Sequence, residues 1–416
     1  MSNASTPAFA SALMPATVHE LSDMVRSTTE PLRVQGCGSW LHGGGPWASG
    51  TPLSTQALRG VVEYTPGDLV ITVRAGTTLA ELAEVTGEHA QMLAIAPYAT
   101  QRHALPEVPG LMDTTVGAMI ATASAAPLPF ADMTTRDLVL GVQVVTGDGA
   151  VTRAGGRVVK NVAGFDLVRL HTGAFGTLGV ITEVSLRLHA RPLHDILLRA
   201  LLRDPITDVI PRLVMQRAPL PMLLELPAHG EPVLWARCSG NVARATALEQ
   251  RVREMGVHRT GVHHAGTHTT GASTSSQQRW ALHDNDAAML EALRATPPDM
   301  VVLRARTPLS DAVPFVRAAR DAFPTATLRF DPAAGSLRVL VPAAQAAALD
   351  RDIDTLYRLA AAGGAMHTIS VAIDQHRSTP RALTPLEAKI KGAFDPRRVL
   401  NPLVAMPDVT AAPPSS

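Results

Sequence analysis

Four short segments of this sequence combine residue types suited to a phosphate or to a flat ligand. The first is Gln35-Gly36-Cys37-Gly38-Ser39, followed by Trp40, after the apolar stretch Leu32 to Gln35. Glycine permits the backbone conformations and close approach by which successive N–H groups can face a phosphate, and a plain structural turn needs the same residues. The second runs from Asp113-Thr114-Thr115 through Val116, Gly117, Ala118, Met119, Ile120 and Ala121 to Thr122-Ala123-Ser124. Its small side chains suit a helix packed on a sheet, or a wall laid along a flat ligand. The third, Gly173 to Thr182, places Gly176 and Gly179 ahead of the β-branched pair Val180-Ile181. The fourth is Lys160-Asn161-Val162-Ala163-Gly164-Phe165-Asp166, whose lysine can meet a phosphate or stand in solvent. None is a dinucleotide fingerprint. G-x-G-x-x-G requires a third glycine where Leu41 stands, and a helix after it.

The elements that must hold these segments follow from periodicity. Thr17 and Glu20 have capping-box spacing and predict a helix over Thr17 to Ser27, with Leu21, Met24 and Val25 on one face. Leu32 to Gln35 and Leu69 to Val73 read as strands, and Thr78 and Glu81 repeat the box ahead of a second helix. Val139 to Val145, the turn Gly147-Asp148-Gly149 and Val151 to Arg153 predict a hairpin. Val180 to Leu188 alternates as a strand with one buried face. Beyond Pro192 the pattern becomes two strand–helix passes. Val233 to Arg237 precedes a helix over Asn241 to Met255, and Val301 to Ala305 precedes one around Asp311 to Phe323. A hairpin through Ala334-Gly335 and an alanine-rich helix over Ala343 to Ala362 complete an α+β region, ferredoxin-like in its spacing. The stretch 258–279, rich in His, Ser and Thr, reads as an exposed loop; His258, His263, His264 and His268 lack the carboxylate and regular spacing of a metal site.

Composition narrows the classes. A chain of 416 residues calls for at least two domains, and 46% hydrophobic with 18% charged residues is that of a folded protein. With 37 basic against 36 acidic residues the net charge is +1, which excludes a general affinity for nucleic acid. Cys37 and Cys238 are too few for an iron–sulfur or zinc site, and the expected compartment is a reducing cytoplasm. Met1 to Pro15 has no basic region ahead of its small and apolar residues, which argues against a secretory signal. No apolar run reaches the roughly 18 residues of a membrane span, so contact with the inner face of a membrane would come through a partner.

In this order, the four segments, together with Arg136 to Gly141 and the C-terminal Lys389-Ile390-Lys391, Phe394-Asp395-Pro396 and Leu400-Asn401-Pro402, resemble one family. It is the vanillyl-alcohol oxidase / p-cresol methylhydroxylase (PCMH) type of FAD-binding protein, and within it the FAD-binding subunits of bacterial glycolate oxidase (glycolate dehydrogenase). The resemblance covers Leu32 to Pro192 and returns over Leu386 to Pro402. It implies a two-subdomain PCMH-type FAD-binding domain over residues 17–192, an α+β cap over 193–380, and a returning segment over 381–407. Residues 1–16 and 408–416 would be a flexible start and a disordered tail. It also implies that Gly36, Cys37, Gly38 and Ser39 hold the FAD pyrophosphate, with Trp40 also at the cofactor. The segment of Asp113, Thr114, Thr115, Gly117, Ala118, Ala121 and Thr122 would run along the flavin. Gly176, Gly179, Val180 and Ile181 would lie on the adenine or ribitol side, and Asn401 would return to the flavin domain. Cys37 and His42 are the conceivable points of covalent attachment, and non-covalent FAD is expected.

The activity implied is oxidation of glycolate, or a related small 2-hydroxy acid, to the oxo acid by hydride transfer to flavin. Related D-2-hydroxy-acid dehydrogenases carry a His/Gly/Asp/Asn/His metal motif in the cap. The corresponding stretch here, Gly363 to Ser370, holds only His367, with His376 and Arg377 following. No catalytic residue and no metal is therefore assigned. The expected partners are a second FAD-containing catalytic subunit and an iron–sulfur subunit. Two alternatives are a self-sufficient dehydrogenase of D-lactate type and a flavin-free structural subunit. The latter is motivated by Ala118 and Ala125-Ala126-Pro127, which stand where relatives carry glycine.

Overall fold

The computed structural model describes residues 12–38, 50–95, 114–126, 128–129, 133–157, 165–202, 204–215, 221–254, 263–264, 289–290, 292–294, 300–342, 370–372 and 383–401. Helix α1 (Val18–Ser27) starts where the sequence predicts, with Thr17 Oγ1 accepting from Glu20 N at 3.1 Å. The reciprocal bond is shifted by one residue, since the Glu20 carboxylate accepts from Ala16 N. The Thr78/Glu81 box closes in both directions and opens α2 (Leu79–Gly87).

Strands β1 (Leu32–Gln35) and β2 (Thr51–Ser54) pair in parallel beneath α1. Next along the chain come β3 (Val61–Thr65), β4 (Val70–Arg74), the two-residue β5 (Gln91–Met92), α3 (Val116–Ala121) and α4 (Thr135–Leu138). They are followed by β6 (Val139–Val145), β7 (Val151–Gly155), α5 (Leu167–His171), β8 (Val180–Arg187) and β9 (His189–Ala190). Five of these strands form an antiparallel sheet in the order β3-β4-β8-β6-β7, and β5 pairs with β9. The hairpin β6–β7 matches its prediction. Strand β8 does not: it is buried on both faces, with only Glu183 and Arg187 partly exposed. Val180 packs with Leu21, Val25 and Leu400, while Ile181, Val184 and Leu186 pack under Leu82 of α2 and Met119 of α3. Its polar residues are satisfied in place, Ser185 by Thr72 at 2.8 Å and Thr182 by the Gln143 carbonyl at 3.1 Å.

After β9 the chain enters a second sheet. Its strands are β10 (His194–Leu201), β11 (Met222–Leu226), β12 (Val233–Gly240), β13 (His263–His264), β14 (Met300–Arg306), β15 (Thr327–Asp331), β16 (Ser336–Pro342) and β17 (Ser370–Ala372). The order is β13-β10-β12-β11-β15-β16-β14-β17, with antiparallel neighbours. Helices α6 (Ile206–Met215), α7 (Val242–Glu254) and α8 (Ala312–Ala322) cover one face, burying Leu213, Val252, Phe315 and Val316 against Leu198, Leu224 and Val339. The α+β class is as predicted, and β12, α7, β14, α8 and the turn at Gly335 lie where expected. Strands β10 and β11 and helix α6 go beyond the two passes read from the sequence. Within the stretch read as a loop, His263 and His264 form β13. The alanine-rich stretch 343–362, most of 258–279 and the tail lie outside the described residues. Among the described residues no helix is long and apolar enough to cross a membrane.

Helix α9 (Pro385–Phe394), capped by a Thr384/Glu387 box, brings the chain back to the first sheet. Leu32 N donates to Val399 O at 2.7 Å and Asn401 N to Leu32 O at 3.0 Å, so residues 399–401 run beside β1. The turn between is fixed by Asp395, which is fully buried and accepts from Val399 N and Leu400 N at 3.0 and 2.9 Å. Lys391 Nζ reaches Asp395 at 2.6 Å, Leu400 O at 2.8 Å and Thr177 O at 2.5 Å. Removing the carboxylate leaves a buried ammonium uncompensated. Asp395→Ala is expected to lose about 3–5 kcal/mol of stability in denaturant titration.

Candidate cofactor site

A cavity, about 620 Å³ with the adjoining open solvent included, lies between the end of β1, helix α3 and the loop entering β8. From the first segment it is lined by Val34, Gln35, Gly36 and Gly38, and from the second by Gly117, Ala118, Ala121 and Thr122. Phe175, Gly176, Gly179 and Ile181 form a further wall, with Thr55 and Asn401 closing the ring. Segments that the sequence scatters from Val34 to Asn401 therefore meet at one place.

Each wall has a local cause. Helix α3 starts at Thr115, whose side chain accepts from Ala118 N, and its small residues leave a low surface facing the cavity. The end of β1 rests on that N-cap, where a Cβ on Gly36 would overlap Thr115 Oγ1. Gly36 is thus required by close packing alone. Gly176 has φ +70°, a left-handed conformation that glycine adopts without strain, and a Cβ there would lie 2.7 Å from Asn401 Nδ2. Asn401 joins two walls: its Oδ1 accepts from Val34 N at 2.7 Å and its Nδ2 donates to Phe175 O at 2.6 Å.

The cavity gathers Gly36, Gly38, Gly117, Ala118, Ala121, Thr122, Gly176, Gly179, Ile181 and Asn401 from the residues named by sequence. Cys37 is buried next to it without lining it, and Thr114 and Thr115 are buried beneath it. Val180 turns to the opposite side of β8 from Ile181, as successive strand residues must, and fills the core under α1. Ser39, Trp40, Asp113, His42 and His367 lie outside the described residues, as does the lysine of the fourth segment. Val34 and Thr55 are lining residues that the sequence motifs do not include, and Phe175 lies within the third segment without being singled out as a site residue. They are apolar or ordinary residues, and only the fold brings them there.

The residues present fit FAD. The floor is made of glycine, alanine and threonine, low enough for a flat ring system. The wall carries Gln35, whose Oε1 is buried with no hydrogen-bond partner among the described residues. A buried amide oxygen in that state is costly unless a ligand or solvent supplies a donor.

Residues 9–155 match the family model described as FAD binding domain. This part of the chain is similar to FAD-binding domains. Among curated proteins, the chain is 34% identical over 226 residues to glycolate oxidase subunit GlcE of Escherichia coli (strain K12), covering 54% of this chain and 60% of that protein. It is 31% identical to D-lactate dehydrogenase of Archaeoglobus fulgidus over 51% of this chain and 46% of that protein. With glycolate oxidase subunit GlcD of Bacillus subtilis (strain 168) it shares 28% identity over 43% and 37% of the two chains. The match thus spans less than two thirds of each of these relatives. A solved structure of alkyldihydroxyacetonephosphate synthase shares the fold with a TM-score of 0.60 at 13% identity, covering 93% of this chain and 75% of that one.

A titrating group lies behind the FAD-binding domain's cavity wall. His171 ends α5, four residues before Phe175, and its ring meets that of Phe394 edge-on, centroids 5.3 Å apart. Burial lowers its pKa to about 4. The unfolded chain then binds the proton more readily between pH 6.5 and 4, so stability is present in full above 6.5 and falls as pH drops through that window. The contribution lost is on the order of 3 kcal/mol. His171→Leu is expected to flatten this part of the stability–pH curve in denaturant titrations at several pH values.

Proposed function

We propose that this chain is the FAD-binding subunit of a multi-subunit dehydrogenase of glycolate or a related D-2-hydroxy acid. The observation that carries the reading is the cavity lined by Gly36, Gly38, Ala118, Ala121, Gly176, Ile181 and Asn401 beside an FAD-binding domain. The names of its relatives, glycolate oxidase and D-lactate dehydrogenase, support the substrate class. The proposed division is an FAD-binding domain over 17–192, a cap over 193–380 and a returning segment over 381–407.

FAD, when bound, supplies the acceptor for the hydride that leaves the hydroxyl-bearing carbon. In this reading the chain's own residues hold and orient it. The segment at Gly36 to Gly38 takes the pyrophosphate, the small face from Thr114 to Thr122 lies along the flavin, and Gly176 to Ile181 takes the adenine or ribitol side. Asn401 keeps the first and third of these walls together. Hydride transfer also needs a base for the hydroxyl proton and a cation for the carboxylate. We assign these to a second flavin subunit, and onward electron transfer to an iron–sulfur subunit, with the assembly at the cytoplasmic side of the membrane.

The test is spectroscopic. Purified chain reconstituted with FAD is expected to turn yellow and to keep its flavin absorbance when glycolate or D-lactate is added without oxygen. Adding the partner subunits co-purified from the native host is expected to allow substrate to bleach it. Bleaching of the isolated chain would show a self-sufficient dehydrogenase. A chain that stays colourless after reconstitution would overturn the FAD assignment in favour of a structural subunit.

A further inference from the structure

The cavity wall at α3 continues into a short stretch that buries itself against the second sheet. Ala118, which lines the cavity, packs on Ala126. Between them the chain is pinned at several points. Ser124 N donates to Met119 O at 3.1 Å, Phe175 N donates to Ala121 O at 2.8 Å, and Thr135 Oγ1 donates to Ser124 O at 3.3 Å. Two residues after Ala126, Leu128 is fully buried among Leu197, Leu223, Val233 and Trp235 of the eight-stranded sheet, on the face opposite α6, α7 and α8.

A charged pair marks the same spot. Arg237, on β12, donates from Nε and Nη2 to the two Asp195 oxygens at 2.9 and 2.6 Å, and from Nη1 to Leu128 O at 3.0 Å. All of these groups are buried. A planar guanidinium held by a bidentate carboxylate is fixed in orientation, so its third contact is an aimed one. Leu128 has φ +57°, a conformation that costs a non-glycine residue about 1–2 kcal/mol and persists only where its surroundings impose it.

We infer that Leu128 and the Asp195–Arg237 pair form a latch by which occupancy of the cofactor cavity and seating of the eight-stranded sheet stabilise one another. The inference rests on the reading of the cavity as the FAD site. Cofactor that orders the Ala118–Thr122 wall holds Leu128 in its socket through the hydrogen-bonded Ser124 and the packed Ala126, and by linkage a seated Leu128 tightens the cofactor by the same factor. Leu128 acts as a positioning residue.

The experiment measures, on the full chain, the FAD dissociation constant by flavin fluorescence and hydrogen exchange of the β10 and β12 amides with and without FAD. In the wild type, FAD is expected to slow exchange in β10 and β12. Leu128→Ala is expected to raise the dissociation constant about tenfold, within the usual range of coupling, and to remove that protection. Leu128→Met should stay near wild type. Leu213→Ala, which opens the core on the far face of the same sheet, controls for general instability and should leave FAD affinity unchanged. If Leu128→Ala does not fold, Leu128→Val serves the same comparison. Unchanged FAD affinity in the Leu128 variants, or an equal weakening in Leu213→Ala, would overturn the latch while leaving the cofactor reading intact. A wild-type chain that takes up no FAD would overturn both.

Discussion

The return of the C-terminal segment to β1 is the constraint on which the candidate site depends. Asn401 can reach Val34 N and Phe175 O only because Asp395 fixes the turn ahead of it and Lys391 ties that turn to Thr177 O. Burial lowers the Lys391 pKa, and the hydrogen bond and charge of Asp395 oppose that shift. Such a pair contributes little net stability against an apolar replacement, but it has one satisfied arrangement. Its value here is geometric. It sets the position of a single amide side chain that spans two walls of the cavity, and Asn401 accepts a φ of +33° to do so, a conformation that asparagine tolerates better than most residues.

A second constraint is closeness of backbone. The end of β1 sits against Thr115, α3 sits against β4 and β8, and the loop before β8 sits against Asn401. These approaches leave space for the cavity but none for side chains, which is why the lining is dominated by glycine, alanine and threonine. The same shortage of side chains makes the site poor in chemistry. Among the described residues, nothing lining it is an acid, a base or a cation. That fits a wall built to hold a cofactor that brings its own reactivity.

The sequence made some of this legible and hid the rest for physical reasons. The capping box at Thr78 and the Gly147 to Gly149 turn are local signals, and local bonds reproduce them. The Thr17 box is half-formed because Ala16 N competes for Glu20. Gly176 and Gly179 are recognisable as sites of close approach, but the partner of Gly176 is Asn401, far away along the chain, and no local pattern states that. Val180 and Ile181 carry the same chemistry and differ only in which side of β8 they face. Helix α6 contains Pro211, and α6, β10 and β11 owe their structure to burial in the second core, where tertiary packing outweighs local punctuation. For Val34 and Thr55 no sequence signal existed, and Phe175 is covered only by the glycine-rich segment around it.

The central claim is that one cavity, closed by Asn401, holds FAD along three separated segments. A crystal structure of the chain reconstituted with FAD tests it most directly. The account predicts cofactor density running from Gly36–Gly38 along Ala118, Ala121 and Thr122 to Gly176 and Ile181, with a donor satisfying Gln35 Oε1. Density for FAD at another place in the fold, or a filled cavity in which Asn401 has left Val34 and Phe175, would contradict it.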